Sequence, residues 1–123
     1  MSPRSAEFLD AARRRLSAAA SVLHDDPSTA LSAGYYAMLY AVRAALSERD
    51  IYAKTRAGAW HEFRRAFVDT GDFNAELAAA GRKLQRKREQ ADYDAWDVPA
   101  EEARRVIELA REFVRGIEEM IAG

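Results

Sequence analysis

The sequence predicts an all-α fold, an antiparallel four-helix bundle with one additional short helix, in a single domain spanning residues 1–123. Apolar residues recur at the three- and four-residue spacing of amphipathic helices through most of the chain. Serine or aspartate followed by proline precedes two of these segments, as expected at helix starts. No segment alternates apolar and polar residues as a half-buried strand would. Helices joined by connections of modest length are expected to pack as antiparallel neighbours.

The first two predicted helices are defined by their starts and by their apolar stripes. The first begins at Ser2 and Pro3, ends near His24, and directs inward Phe8, Leu9, Ala12, Leu16, Ala19, Ala20 and Leu23. The second begins at Asp26, runs to about Asp50, and directs inward Leu31, Tyr35, Met38, Leu39, Val42 and Leu46.

A short helix is predicted in the middle of the chain. The preceding segment IYAKTRAG, residues 51–58, lacks sustained periodicity and contains a glycine, so it predicts a connecting loop. The following residues place Trp60, Phe63 and Phe67 on one face, and Gly71 is the expected C-terminal stop.

The fourth predicted helix carries an arginine on its inward face. After an N-cap at Asn74, its stripe consists of Leu77, Gly81 and Leu84. The next steps at the same spacing are Arg88 and Asp92. A guanidinium on an inward stripe is costly unless it is paired or faces a polar cleft. An intrahelical Arg88–Asp92 ion pair at a bundle end would suffice, and a functional cleft is the alternative.

The last predicted helix follows the break DAWDVP, and its stripe comprises Val106, Ile107, Ala110, Phe113, Val114, Ile117 and Ile121.

The second helix has an additional face on which Tyr36, Tyr40 and Arg43 recur at spacings of four and three. Two phenols and a guanidinium supply hydrogen-bond donors and a stacking plane for a nucleotide, a phosphate or a partner helix. Core packing of the two tyrosines is the competing interpretation.

The charge of the chain restricts the classes of binding that it can support. The formal net charge is -1, which does not indicate a protein that binds DNA non-specifically. Positive charge is local, at Lys54, Arg56, Arg64 and Arg65 and in the run 82–88, where five of seven residues are basic. The segment from Ala100 onward contains six glutamates and four arginines. A solvated face is the alternative explanation for such a run.

The composition predicts a soluble cytoplasmic protein without a membrane span. There is no cysteine, which excludes disulfides and thiolate metal sites. The longest uncharged run, residues 27–42, is shorter than the roughly 20 residues that a spanning helix requires. The two histidines are isolated, so neither suggests a metal site, and no cofactor is expected.

The ordered motifs GYYAMLYAVRAAL, KTRAG, FVDTGDFNAEL and RKREQADYD resemble the HEPN family of helical bundles. The resemblance covers about residues 5–120 and is strongest to small stand-alone prokaryotic members that are encoded beside minimal nucleotidyltransferases. It implies a homodimer whose protomers form a polar cleft. In catalytically competent members, an arginine followed after four to six residues by a histidine forms a metal-independent ribonuclease site.

The sequence departs from that motif. Arg88 matches the arginine, but Tyr93 stands after four intervening residues and Ala95 after six. A phenol is a poor proton shuttle at neutral pH compared with imidazole. Arg56 and His61 also have the required spacing, but they straddle a glycine and lie outside the family's motif segment.

Three functional hypotheses follow. The first is a HEPN component of a toxin-antitoxin-like or defence pair, with Arg88, Asp92 and Tyr93 at a dimer cleft and a minimal nucleotidyltransferase as partner. RNA or nucleotide would be bound by Arg88, Tyr36, Tyr40, Arg43, Lys54, Arg82 and Arg86. The second is a non-catalytic dimeric adaptor that supports the nucleotidyltransferase without cleaving RNA. The third is a bundle with no ligand, which leaves the inward arginine unexplained.

Overall fold

The computed structural model describes residues 1–94 and 97–123, with side chains through residue 90 and from residue 97 onward. The helical elements in chain order are α1 (Pro3–Val22), α2 (Pro27–Ser47), α3 (Arg56–Phe63), a π-helical segment (Arg64–Val68), α4 (Ala75–Asp94) and α5 (Ala100–Ala122). These ranges contain no strand, and the predicted all-α bundle is confirmed.

The predicted helix starts are confirmed by side-chain caps. The hydroxyl of Ser2 accepts the amide hydrogen of Ser5 at 3.1 Å at the start of α1. The carboxylate of Asp26 accepts the amide of Thr29 at the start of α2. The Asn74 side chain accepts the amide of Leu77 at 2.9 Å. Each cap satisfies one of the amide groups that a helix N-terminus leaves without an intrahelical partner.

The predicted loop over residues 51–58 is wrong at its C-terminal end. Helix α3 already begins at Arg56, because the hydroxyl of Thr55 accepts the amide hydrogen of Gly58 at 2.9 Å. This cap nucleates a first turn that hydrophobic periodicity does not reveal. The second helix also ends earlier than the predicted end near Asp50. Helix α2 ends at Ser47, and a turn with a positive φ of 54° at Asp50 follows it.

The short middle helix continues into the π-helical segment, which Arg49 contacts from the turn that follows α2. The Arg49 guanidinium donates a 2.7 Å hydrogen bond to the carbonyl oxygen of Ala66 and lies 4.1 Å from the ring centroid of Phe67. Arg49 therefore satisfies a carbonyl group within the wider helical turn. The chain then reverses at Gly71, whose φ of +83° suits glycine, as the sequence predicted.

Helix α2 is the central element of the bundle. It packs against α1, α3, α4 and α5, and it is buried on nearly all sides. Small residues permit this close approach: Ala30, Ala33, Gly34, Ala37, Ala41, Ala44 and Ala45 are all buried. A Cβ atom added at Gly34 would lie only 3.1 Å from a methyl group of Val106 on α5. Helices α1 and α2 run antiparallel, since Ser5 near the start of α1 contacts Ala44 near the end of α2. Helices α4 and α5 also run antiparallel, since Lys87 contacts Glu102 near the start of α5 whereas Leu77 lies beside Gly116 near its end.

The predicted core is confirmed with one exception. The aromatic side chains of α3 meet α5 at its centre, where the Trp60 and Phe113 ring centroids are 5.6 Å apart and those of Phe63 and Phe113 are 5.9 Å apart. Ala20, however, is exposed. It lies about 100° around the helix from the fully buried Ala19, beyond the edge of the contact with α2.

A polar network joins the start of α1 to the end of α2. One carboxylate oxygen of Glu48 accepts the Ser2 amide hydrogen at 2.7 Å and lies 2.7 Å from the buried Ser5 hydroxyl. The Ser5 hydroxyl is also 2.9 Å from the carbonyl oxygen of Ala44. The Ser2 amide and, next, the Ser5 hydroxyl hold the pKa of Glu48 below its ordinary value.

Replacement of Glu48 by glutamine is expected to lower the free energy of unfolding at pH 7 by about 1 kcal/mol, because hydrogen bonds to a charged acceptor are stronger than those to a neutral one. A lowered pKa means that the carboxylate stabilises the fold above its unfolded-state pKa, and that this contribution disappears as pH falls through the folded-state value. The difference between wild type and Glu48→Gln should therefore shrink as pH falls below the ordinary pKa of a glutamate and through the lower folded-state pKa of Glu48. Urea unfolding at pH 7 and pH 3 measures it, with the exposed Glu119→Gln as control. A difference that is independent of pH would contradict this account.

Candidate functional site

Arg88 occupies the inward stripe of α4 that the sequence predicted. Gly81 and Leu84 on that stripe are buried, and Leu77 and Arg88 are half-buried. The guanidinium carbon of Arg88 lies 4.7 Å from the ring centroid of Tyr36 and 5.9 Å from that of Tyr35. An arginine over an aromatic face is stabilised by the negative potential of the ring, which makes partial burial of the charge tolerable.

The ring of Tyr36 is approached by three arginines from three different helices. Besides Arg88 on α4, the guanidinium carbon of Arg56 on α3 lies 5.1 Å from the ring centroid, and that of Arg15 on α1 lies 5.8 Å from it. We call Tyr36, Arg15, Arg56 and Arg88 the Tyr36 cluster. It brings three permanently charged groups around one half-buried aromatic side chain.

Tyr35 connects this cluster to the hydrophobic core. Its side chain is fully buried, and its hydroxyl accepts a 3.2 Å hydrogen bond from the indole nitrogen of Trp60. Burial raises the pKa of Tyr35 above its ordinary value, so the phenol stays neutral at physiological pH. The ring of Tyr35 is therefore held in place beside Arg88, and its hydroxyl is hydrogen-bonded within the core.

Tyr40 lies at the edge of the cluster, one helical turn after Tyr36. Its ring stacks on Phe8 with a centroid distance of 6.2 Å, and the guanidinium of Arg15 lies 5.6 Å from its centroid. The two predicted tyrosines are thus linked through Arg15.

Arg43 on α2 contacts the connection between α2 and α3, in which Lys54 lies. The guanidinium of Arg43 donates a 3.0 Å hydrogen bond to the carbonyl oxygen of Ala53, and the neighbouring Lys54 is exposed. Arg43 thus fixes the segment that leads to the Thr55 cap and Arg56, and it contributes to the Tyr36 cluster only by positioning that segment.

Arg82 and Arg86 lie on a different flank of α4. Both line a groove of about 540 Å³ between α4 and the α3–π segment. Arg82 also reaches the carbonyl oxygen of Ala57 at 3.5 Å. The structure therefore places Arg82, Lys83 and Arg86 of the basic run in this groove and Arg88 in the Tyr36 cluster, whereas Lys87 pairs with Glu102 on α5.

The remaining sequence candidates do not extend the described site. The side chains of Asp92 and Tyr93 lie outside the described residues, and their roles stay predictions. Of the Arg56–His61 pair, Arg56 contacts Tyr36 whereas His61 is exposed. Within residues 1–90 and 97–123, no group of three or more potential metal ligands occurs. No helix of the described chain is long and apolar enough to cross a membrane.

Sequence reasoning did not assign Arg15 or Arg56 to the site. Both are distant from Tyr36 in the chain, so no helical periodicity relates them to it. One local signal was present for each. Arg15 follows Phe8 by seven residues, which places both on one side of α1. Thr55 caps the helix that Arg56 begins.

The described part of the cluster favours anion binding. Guanidinium groups offer planar arrays of donors that match phosphate oxygens, and an aromatic ring offers a surface on which a base can stack. Helix α3 has no acidic residue in its first turn, so its partial positive charge adds to that of Arg56. Arginine and tyrosine supply binding groups, whereas the histidine that would transfer protons at neutral pH is not among them.

The chain is similar to one protein family and to two named proteins. A family model described as HEPN domain matches residues 5–120. A Methanocaldococcus jannaschii protein named "Putative toxin MJ0142" is 35% identical over 75 residues, which are 60% of this chain and 51% of that protein. A Thermotoga maritima protein named UPF0332 protein is 31% identical over 88 residues, 71% of this chain and 67% of that protein. The chain thus spans half to two thirds of the length of these relatives.

Replacement of Tyr36 by leucine is expected to lower the free energy of unfolding by about 1.5–3 kcal/mol, because three cation–π contacts of roughly 0.5–1 kcal/mol each are lost. Tyr36→Phe keeps the ring and should stay within about 0.5 kcal/mol of wild type. Urea unfolding of the three proteins measures the difference. Equal losses in both variants would show that the hydroxyl, and not the ring, supports the cluster.

Proposed function

The chain belongs to the HEPN domain family, and from this premise we propose that it is a toxin-like HEPN protein of a toxin-antitoxin or defence pair that binds RNA or nucleotide. The name of the archaeal relative supports the toxin-like assignment. A minimal nucleotidyltransferase is the proposed partner, in keeping with the resemblance to stand-alone prokaryotic members. The cytoplasm is the proposed location.

The observation that carries the proposal is the convergence of Arg15, Arg56 and Arg88 on the ring of Tyr36. Three guanidinium groups from three helices place planar hydrogen-bond donors beside one aromatic ring. A phosphate group would accept hydrogen bonds from the guanidiniums, and an adjacent base could stack on exposed ring surface. RNA and nucleotides contain both groups.

In this proposal two copies of the chain pair, so that Arg88 of each protomer faces one polar cleft. Asp92 and Tyr93 follow Arg88 by one turn of α4 and would complete that cleft. A stable dimer of this kind requires a contact of roughly 1,200 Å² or more in total. Sedimentation of the pure protein at micromolar concentration tests the assembly.

The sequence itself favours a second candidate, a dimeric adaptor that supports the nucleotidyltransferase without cleaving RNA. Tyr93 stands where catalytically competent members have a histidine. Without imidazole, the site lacks the group that most often transfers protons near neutral pH. Binding by the arginines would persist, and hydrolysis would be absent or very slow.

Replacement of Arg88 by alanine is expected to weaken RNA binding by about 1.5–3 kcal/mol, because a guanidinium that makes charge-assisted hydrogen bonds to phosphate is lost. The matched control is Arg14→Ala, which also removes one positive charge but takes it from an exposed pair with Asp10. Arg82→Ala should have a smaller effect and mainly reduce the dependence of binding on salt. Fluorescence anisotropy with a labelled RNA pool measures all four proteins. Equal losses for Arg88→Ala and Arg14→Ala would mean that binding is diffuse electrostatic attraction.

Replacement of Tyr93 by histidine separates an enzyme from a binding module. The substitution restores the family's arginine and histidine with four intervening residues, so we expect metal-independent RNA cleavage that wild type shows weakly or not at all. Both proteins are incubated with the same RNA pool in EDTA, with the double variant Arg88→Ala/Tyr93→His as control. Robust cleavage by wild type that Arg88→Ala abolishes would refute the adaptor. No RNA binding by either protein would refute the RNA-binding proposal.

A further inference from the structure

A second surface rich in arginine lies beside the Tyr36 cluster. The groove between α4 and the α3–π segment has a volume of about 540 Å³ and is open to solvent. Its apolar lining includes Trp60, Phe63, Val68, Ala75 and Ala78. Its charged lining consists of Arg64, Asp69, Arg82, Lys83 and Arg86. We call these lining residues the α4 groove.

The cations of the α4 groove are four, and they share the lining with one carboxylate. Some arginines elsewhere on the surface do pair with carboxylates, as in Arg13–Glu118 at 3.0 Å, Arg65–Glu62 at 2.8 Å and Arg104–Glu101 at 2.9 Å. Within the part of the chain whose side chains are described, no carboxylate lies within ion-pair distance of the groove's cations. Asp69 is the single acidic group in the lining. The groove therefore holds a local surplus of positive charge that a ligand can neutralise.

The α4 groove and the Tyr36 cluster are connected through the first turn of α3. The guanidinium of Arg82 reaches the carbonyl oxygen of Ala57 at 3.5 Å, and the preceding residue, Arg56, lies over Tyr36. Along α4 itself, Arg82 and Arg88 are separated by six residues, a rise of about 9 Å. A basic path thus runs from Arg64 across α4 and the start of α3 to Arg88.

We infer that the α4 groove and the Tyr36 cluster form one continuous binding path for single-stranded RNA, a refinement that rests on the proposed function. The groove arginines hold successive phosphates, and the cluster holds a nucleotide at one end. An enclosed small-molecule site would fix its ligand with converging buried polar groups. The indole nitrogen of Trp60 is instead bonded to Tyr35. An open groove lined by cations and apolar side chains is suited to binding the sugar-phosphate backbone of RNA without sequence specificity.

The test compares two lengths of labelled oligouridylate, of about 4 and 12 nucleotides, since an extended path favours the longer strand. In wild type, the 12-mer should bind at least tenfold more tightly than the 4-mer. The variant Arg64→Ala/Arg82→Ala/Arg86→Ala should lose this advantage and keep its 4-mer affinity. Its slope of log affinity against log salt for the 12-mer should fall by about 2, because each phosphate contact to a single strand contributes roughly 0.7. The matched control is Arg104→Ala/Arg111→Ala/Arg115→Ala, which removes the same charge from exposed positions of α5.

A variant that removes negative charge from the groove, and is expected to increase affinity, completes the test. Asp69→Asn removes the carboxylate from the groove, so it should tighten 12-mer binding about twofold to threefold and leave 4-mer binding unchanged. Thermal unfolding of each variant confirms that the fold persists. If the groove variant weakens 12-mer binding no more than the α5 control does, the groove is not part of the path. The proposed function is then tested by 4-mer binding and by the Arg88→Ala variant alone. If wild type binds neither strand, both proposals fail.

Discussion

The enclosure of α2 by the other helices is the constraint on which the structure depends. A helix that is buried on nearly all sides must present small residues wherever a neighbouring backbone comes close, and α2 does so with its alanines and Gly34. Its larger side chains then fill the spaces that remain, where Tyr35 packs against Trp60 of α3, whose ring in turn contacts Phe113 of α5. Tyr36, the next residue along, is turned by about 100° and reaches the rim of the bundle. One central helix therefore carries both the core and the functional candidate.

The position of Tyr36 on α2 explains why arginines from three helices can meet there. Helices α1, α3 and α4 all contact α2, so each can extend a long side chain towards the same ring. The aromatic face lowers the cost of holding a guanidinium partly out of water. Arg88 in particular ends an otherwise apolar stripe without being forced into the hydrocarbon core. The hydrogen bond between Tyr35 and Trp60 fixes the neighbouring wall, so the geometry of the cluster is coupled to core packing.

Local signals allowed most of the fold to be predicted. The caps at Ser2, Asp26 and Asn74 involve residues three positions apart, and the apolar stripes follow helical spacing. Arg88 was found in the same way, as the continuation of a stripe. The π-helical segment and the exposure of Ala20 depend on contacts between helices, so periodicity alone could not supply them. The same limit applied to Arg15 and Arg56, which join Tyr36 only through tertiary packing.

The three arginines around Tyr36 also make the folded state sensitive to the composition of its solvent. Their guanidinium carbons all lie within 5.8 Å of one ring centroid, and added ions, with a Debye length of about 10 Å at 0.1 M salt, screen part of the electrostatic interaction between them. An anion that binds the folded chain but not the unfolded chain raises stability further by mass action. Phosphate or sulfate in a buffer would then act as a weak ligand as well as an ionic background. If the proposed anion binding holds, the melting temperature of this protein depends on which anions are present as well as on ionic strength, and chloride and phosphate buffers of equal ionic strength are not equivalent reference states.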